Sequence, residues 1–445
     1  MHLPKYHFRP AANWINDPNG LCQMNGWYHM FYQYNPHGDK WGDIHWGHAR
    51  SQDLLSWEGM PVAMTPDAVN GEIHCFSGGC CKDEAGKPHF FYTSVGRAED
   101  GRDCVHGAQQ WTAEPSDTDL THLVQTNAHA VTDAIHGGMH VRDWRDPCVI
   151  RHGDQYLMTL GGCVEERGCV LLYTSPDMKN WTYRHILAQS DEADGKPWEC
   201  PNFFEVDGKF VLFYSPCAQV MARVGTLDEE LHFHCEWEDV LDPAAWSGYY
   251  APQAFRDEAG RTLLFGWMPE CDGASKGWSG MMSLPRELHI TDGRLTAWPV
   301  EGIDSLAEWQ TVDIQPGDIQ PGGTCLARDG RHLLLRMDVE LQDAMELRLF
   351  AGDTCETLLR ITPMGEISLH RERSGGGEQA DRSTISRTAP MKDGRAEIFL
   401  ALDGSAIECM VNGAWLSGRV YPDADCGGVY VQSRQGLTIH MGQVK

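Results

Sequence analysis

One β unit, repeated five times in the N-terminal part of the chain, limits what this sequence can fold into. Each copy opens on a short motif, runs through an apolar stretch about one strand long, turns at a glycine and continues as a second, strongly β-favouring strand. Asp17-Pro18-Asn19-Gly20 leads through Gly26 to Trp27-Tyr28-His29-Met30-Phe31-Tyr32, and Phe76-Ser77-Gly78-Gly79 leads through Gly86 to His89-Phe90-Phe91-Tyr92. Arg145-Asp146-Pro147 leads through Gly153 to Tyr156-Leu157-Met158-Thr159-Leu160, and Glu199-Cys200-Pro201-Asn202 through Gly208 to Phe210-Val211-Leu212-Phe213-Tyr214. The fifth copy, Tyr250-Ala251-Pro252-Gln253, passes Gly260 and continues as Thr262-Leu263-Leu264-Phe265-Gly266-Trp267. The turn glycines fall roughly 50 to 70 residues apart, the scale of a four-stranded propeller blade with long loops. Two copies add the pattern S-x-D-x-x-x-W, at Ser51 to Trp57 and Ser175 to Trp181.

A β-sandwich would also give many short strands, but not a motif at the same point of every long repeat. Residues 1–297 therefore read as a five-bladed β-propeller. Residues 298–315 read as a polar connection, short-helical or irregular, followed by chain breakers at 316–323. Short alternating runs such as His332 to Met337, Ala396 to Leu400 and Gly428 to Gln432 make residues 316–445 an all-β sandwich of ordinary domain size. Residues 371–387, rich in Gly, Ser and charge, read as a mobile loop.

Composition bounds the partners. Thirty-six basic against 63 acidic residues leave a net charge of −27, which argues against nucleic acid or an anionic membrane, since phosphate contact needs a basic surface. A few local cations could still hold a phosphorylated sugar. No apolar run is long enough to span a bilayer, and the start, Met1 to His7, lacks the apolar core of a signal peptide. With 16 cysteines, several inside predicted strands, free thiols in a reducing cytoplasm are expected. No C-x-x-C zinc spacing occurs, and His232, His234 and Cys235, alternating on one strand, read as ordinary packing; neither metal nor cofactor is expected. Monomer and homodimer both remain open.

The chemistry lies in the motifs. Innermost propeller strands line one funnel, so Asp17, Asp146 and Glu199 should meet there. Singly, each has a plain turn-forming or solvated explanation; jointly placed, they suit glycoside hydrolysis, where one carboxylate attacks or activates water and another protonates the leaving oxygen. Trp14, Trp41, Trp46, Trp198 and Trp267 lie in or near the motifs, and such rings can cover the apolar faces of sugars. Trp41, in a polar loop, is hardest to explain as core. Three carboxylates in one funnel repel one another, which raises the proton affinity of the least solvated.

At these residues the chain resembles glycoside hydrolase family 32, the β-fructofuranosidases: invertases, sucrose-6-phosphate hydrolases, levanases and inulinases. Trp14-Ile15-Asn16-Asp17-Pro18-Asn19-Gly20 is similar to the family's nucleophile motif, and Phe31-Tyr32-Gln33-Tyr34-Asn35-Pro36 to the segment after it. The likeness continues through Phe76-Ser77-Gly78, Arg145-Asp146-Pro147, Trp198-Glu199-Cys200-Pro201, Tyr250-Ala251-Pro252-Gln253 and Gly266-Trp267-Met268. It extends through Met282 to Leu288 and into the sandwich at Ile407-Glu408 and Val411-Asn412-Gly413. The resemblance implies that Asp17 is the nucleophile of a covalent fructosyl intermediate, Glu199 the acid/base, and Asp146 a holder of fructose hydroxyls that stabilises the transition state. It further implies that Asn16, Gln33, Trp41, Phe76, Ser77, Arg145, Tyr250 and Trp267 shape the fructose pocket. Cys200 reads as tuning or packing.

Two stretches depart from the family pattern, Tyr92-Thr93-Ser94-Val95 with the charged loop 96–105 after it, and residues 243–249. Both bear on the leaving group. The expected activity is release of terminal β-D-fructofuranosyl residues from sucrose, sucrose 6-phosphate or short fructo-oligosaccharides. A fructosyltransferase using the same intermediate and an exo-fructanase acting on inulin or levan are the alternatives. A non-catalytic sugar-binding propeller and an inverting five-bladed arabinosidase or xylosidase are the more distant ones.

Overall fold

The computed structural model of the chain describes residues 2–96, 108–272, 276–316 and 322–444. Its structure is all-β: among the described residues the only helical elements are short 3-10 turns such as Ala68–Asn70, Asp133–His136 and Ile303–Leu306. None is long and apolar enough to cross a membrane.

Up to Pro299 the strands form five antiparallel sheets of four main strands, each taken in chain order. They start at Asn13–Met24, Glu72–Lys82, Arg142–His152, Glu199–Val206 and Tyr250–Arg256, and each starting strand carries one of the five motifs. These five strands touch one another in cyclic order, the fifth returning to the first. Closure is reinforced where Trp278–Ser279 pairs in parallel with Asn13 and Trp14. Aromatic rings interlock neighbouring sheets: Phe31 and Trp46 of the first meet Phe90 and Tyr92 of the second edge to face, all four buried, each pair adding about 0.5–1.5 kcal/mol beyond its buried area.

The S-x-D-x-x-x-W pattern is one turn built twice. Asp53 Oδ1 accepts from the Ser51 hydroxyl at 2.9 Å and from the amides of Leu55 and Ser56; Asp177 Oδ1 does the same with Ser175, Lys179 and Asn180. The aspartate closes an Asx turn that hands the chain to the fourth strand.

The rest of the chain forms two six-stranded antiparallel sheets. The expected connection 298–315 is shorter than read. Pro299 still belongs to Arg294–Pro299, and after the 3-10 turn Ala307–Ile314 is a strand paired along its whole length with Leu437–Val444. It was obscured because it lies at a sheet edge, mostly exposed, with polar residues on its outer face. The expected mobile segment 371–387 is also pinned. Arg371 is fully buried, its guanidinium donating to the Ser247 and Arg419 carbonyls and to Ser383, and Ile385–Thr388 is a strand. Of the chain breakers at 316–323, residues 317–321 lie outside the described residues, as do 97–105 of the charged loop.

A buried ion network joins the two halves. His7 bridges Asp403 and Glu408 at 2.9 Å each, Glu408 binds Arg286 at 2.6 Å, and Arg286 reaches Asp242, which the Ser417 hydroxyl also holds at 2.7 Å. Burial alone would lower the His7 imidazole; hydrogen bonds to the two carboxylates outweigh it and lift it to about 9.

Candidate active site

Every motif strand carries the same irregularity. At residues 15–18, 75–78, 145–148, 199–202 and 250–253, three steps along the strand face two along its partner, a β-bulge with one extra residue. Bulges re-aim side chains, and here five of them point motif residues toward the axis of the ring. Three place the residue before proline in left-handed backbone: Asp146 at φ 66°, Cys200 at 46° and Ala251 at 44°. For non-glycine residues such backbone costs on the order of 1–3 kcal/mol each.

The bulges correct one expectation about register. In the last three sheets Asp146 corresponds to Cys200 and Ala251, while Glu199 corresponds to Arg145 and Tyr250, one residue earlier. The three carboxylates are convergent without being equivalent. Arg145, Glu199 and Tyr250 instead form a chain across neighbouring sheets. The Arg145 guanidinium pairs with Glu199 Oε1, and the Tyr250 hydroxyl donates to Glu199 Oε2 at 2.5 Å.

A second chain runs through the bulges. Asp17 Oδ2 accepts from the Ser77 hydroxyl at 2.5 Å and from Gln33 Nε2 at 3.2 Å, and Gln33 also contacts Ser77. Asn16 Nδ2 donates to Asp17 Oδ1 at 3.2 Å, and Trp14 Nε1 holds Asn16 Oδ1 at 2.8 Å. The Cys200 thiol lies between the two aspartates, 3.4 Å from Asp17 Oδ2 and 3.5 Å from Asp146 Oδ2, while its amide donates to Asp146 Oδ2 at 2.8 Å. Cys200 is thus a positioning contact, and burial beside three carboxylates drives its thiol well above the ordinary range.

Asp17 is 9% exposed and Asp146 5%. Burial pushes Asp146 up to about 6, opposed by Arg145 and reinforced by the charge of Asp17. Burial also raises Asp17, against hydrogen bonds from Ser77 and Asn16 and with the charge of Glu199. The least exposed of the three expected carboxylates is the one raised to about 6.

These groups face a cavity of about 510 Å³. It is lined by Asn16, Asp17, Gln33, Trp41, Phe76, Arg145, Asp146, Glu199, Tyr250 and Trp267, each expected there, and by Trp14, Cys200, Trp246, Pro269 and Glu270. Ser77 stands behind, reaching the site through Asp17. Trp41 is half exposed beside Phe76 and His74. Trp46 and Trp198 are core: the first is fully buried, and the second stacks on Tyr214 at 3.8 Å under Arg223. His232 and His234 both face Asp228.

Sequence reasoning did not single out Trp246, Glu270 or Cys217. Trp246 stacks on Tyr250 at 4.1 Å and is half exposed at the pocket mouth; its signal was the unusual stretch 243–249. Glu270 is held by Lys276 and Arg419. The Cys217 amide donates to the Tyr250 hydroxyl at 3.0 Å and its thiol lies 3.6 Å from Glu199 Oε2; no motif marks it.

Carboxylates in two hydrogen-bonded chains, facing a pocket walled by indole rings, are the equipment of an enzyme that cleaves glycosidic bonds. Residues 7–299 match the family model "Glycosyl hydrolases family 32 N-terminal domain", and the chain belongs to that family. Among its relatives, a sucrose-6-phosphate hydrolase of Escherichia coli is 29% identical over 98% of this chain and 93% of its own length. A raffinose invertase of Escherichia coli is 29% identical over the same shares. Among solved structures, the Bombyx mori family 32 β-fructofuranosidase superposes with a TM-score of 0.82 at 26% identity, over 100% of this chain and 94% of that one.

Proposed function

We propose that the protein is a retaining β-fructofuranosidase that releases fructose from non-reducing terminal β-D-fructofuranosyl residues. Asp17 attacks the anomeric carbon, Glu199 protonates the leaving oxygen and then activates water, and Asp146 holds fructose hydroxyls and stabilises the oxocarbenium-like transition state. The observation that carries this reading is the convergence of all three carboxylates on one cavity, each in a different hydrogen-bonded setting. Asp17 receives hydroxyl and amide donors on both oxygens, which aims it. Glu199 is gripped by Arg145 and Tyr250 and sits next to the exposed mouth, where a leaving group would depart. Asp146, raised to about 6 by burial, is suited to hydrogen bonding with sugar hydroxyls.

The five N-terminal sheets are the blades of a five-bladed propeller, supported by their chain-order strands and cyclic contacts. The two six-stranded sheets are the C-terminal sandwich, extended at its start by Ala307–Ile314. A cavity of about 510 Å³ with a ring-lined mouth suits a small saccharide better than a polymer. The substrate is therefore sucrose, its 6-phosphate or a short fructo-oligosaccharide, met in the cytoplasm.

Initial rates on sucrose, sucrose 6-phosphate, an inulin and a levan, with product linkage determined, test the reading. Free fructose from the small substrates is expected. Equal rates on the long polymers would overturn the size preference, and oligosaccharides as main product at high sucrose would make the enzyme a transferase.

A further inference from the structure

Two turns of the C-terminal half face each other with a cysteine on each. Residues 352–355 close through the Gly352 amide on the Cys355 carbonyl at 2.9 Å, and residues 423–426 through the Cys426 amide on the Asp423 carbonyl at 3.0 Å. Cys355 and Cys426 are both buried, at 1% and 0% exposure, while Asp423 is exposed. The two thiol sulfurs and a carboxylate oxygen of Asp423 all lie within 4.8 Å of one another. The Thr354 hydroxyl donates to Asp423 Oδ2 at 2.9 Å and lies 3.3 Å from the Cys426 sulfur; Asp425 Oδ1 is 3.8 Å from that sulfur.

We propose that Cys355, Cys426 and Asp423 form a binding site for a soft divalent cation of the zinc class, remote from the sugar pocket and independent of its chemistry. Zinc takes thiolate sulfur at about 2.3 Å and carboxylate oxygen at about 2.0–2.2 Å in tetrahedral array, which sets its donors about 3.5–3.8 Å apart. Small side-chain rotations bring this trio to that spacing. The donor set is mixed: a bare dithiol pair would serve a disulfide equally well, whereas a carboxylate converging on both sulfurs is what a cation needs. Solvent reaches the site from the carboxylate side, leaving the thiols at the inner wall and a fourth position for water or the Thr354 hydroxyl. The 70 residues between the two cysteines hide the site from any C-x-x-C reading of the sequence. On binding, both thiol protons leave to solvent, so affinity falls as pH is lowered.

The bound ion would clamp a turn beside Met345–Ala351 to the one preceding Gly428–Gln432, two strands already paired in the same sheet. Its effect is therefore on stability.

Cadmium titration of the full-length, reduced, metal-stripped protein tests this, following the ultraviolet charge-transfer band of cadmium–thiolate bonds. One tight equivalent is expected, absent in the Cys355→Ser/Cys426→Ser double variant and weakened about tenfold or more in Asp423→Asn. Asp423→Asn is exposed and keeps both thiols, so it remains informative if the double variant folds poorly. Unchanged cadmium affinity in Asp423→Asn would overturn the proposal. So would a Cys355–Cys426 disulfide in peptide maps of protein prepared with zinc and without oxidant.

Discussion

Two clusters of buried charge in the molecule are balanced in opposite ways. At the junction of the halves, His7, Arg286, Asp403 and Glu408 are paired so fully that His7 is lifted to about 9 and both Asp403 and Glu408 are held below the ordinary carboxylate range. Of the three carboxylates there only Asp242 is raised, its burial outweighing Arg286. At the ring axis Asp17 and Asp146 do have hydrogen-bond donors, but burial outweighs them and raises both. The first cluster stabilises a junction. The second keeps two raised carboxylates on the wall of an open pocket, as the proposed sugar-cleaving role requires.

The sharpest way to break this contrast is to neutralise one member of each. Asp17→Asn should lower kcat/KM by about 10⁴-fold or more while leaving the melting temperature at or above that of the parent. Glu408→Ala should do the reverse, taking from buried Arg286 and His7 one of the two carboxylates each has, at a loss of about 3 kcal/mol in chemical denaturation, with activity per folded molecule retained. Equal losses of activity in both would mean that the clusters are not distinct.

Tyr250→Phe removes one hydrogen bond to the Glu199 carboxylate and should cost about 1.5–3 kcal/mol of transition-state stabilisation, seen in kcat more than in KM. Asp146→Asn should stabilise the fold. A carboxyl raised to about 6 favours the protonated fold, so its contribution is complete below the ordinary value near 3.8 and is lost as pH rises through 6. The asparagine variant should therefore gain about 3 kcal/mol well above pH 6 and almost nothing at pH 4, in melting curves at the two pH values. His7 gives a test of the same sign at higher pH. Its contribution is complete below 6.5 and disappears as pH rises through about 9, so the parent should lose stability there and a His7→Gln variant should not.

Much of this was legible in the residues. Proline and glycine at fixed offsets marked the five motif strands, and alternation with aromatic runs marked their partners. The site was legible as far as the motifs reach: Asp17, Asp146, Glu199 and their immediate neighbours. Register was not, because a bulge adds a residue without a signature, so Arg145 and Glu199 could not be seen as counterparts. Trp246 and Glu270 line the pocket from irregular segments flanking the fifth sheet, and Cys217 reaches the site through the Tyr250 hydroxyl; none lies in a motif. Ala307–Ile314 was read as a connection because a mostly exposed edge strand lacks the apolar face that reveals a strand.

The central claim is that Asp17 forms a covalent bond to fructose, and one measurement addresses it directly. Glu199→Gln can be supplied with a fructosyl donor whose leaving group needs no proton, quenched in acid and digested for mass spectrometry. The peptide containing Asp17 should carry one added anhydrohexose, absent in the Asp17→Asn control. Turnover of that donor with Asp17 unmodified, or an adduct on any other residue, would contradict the account.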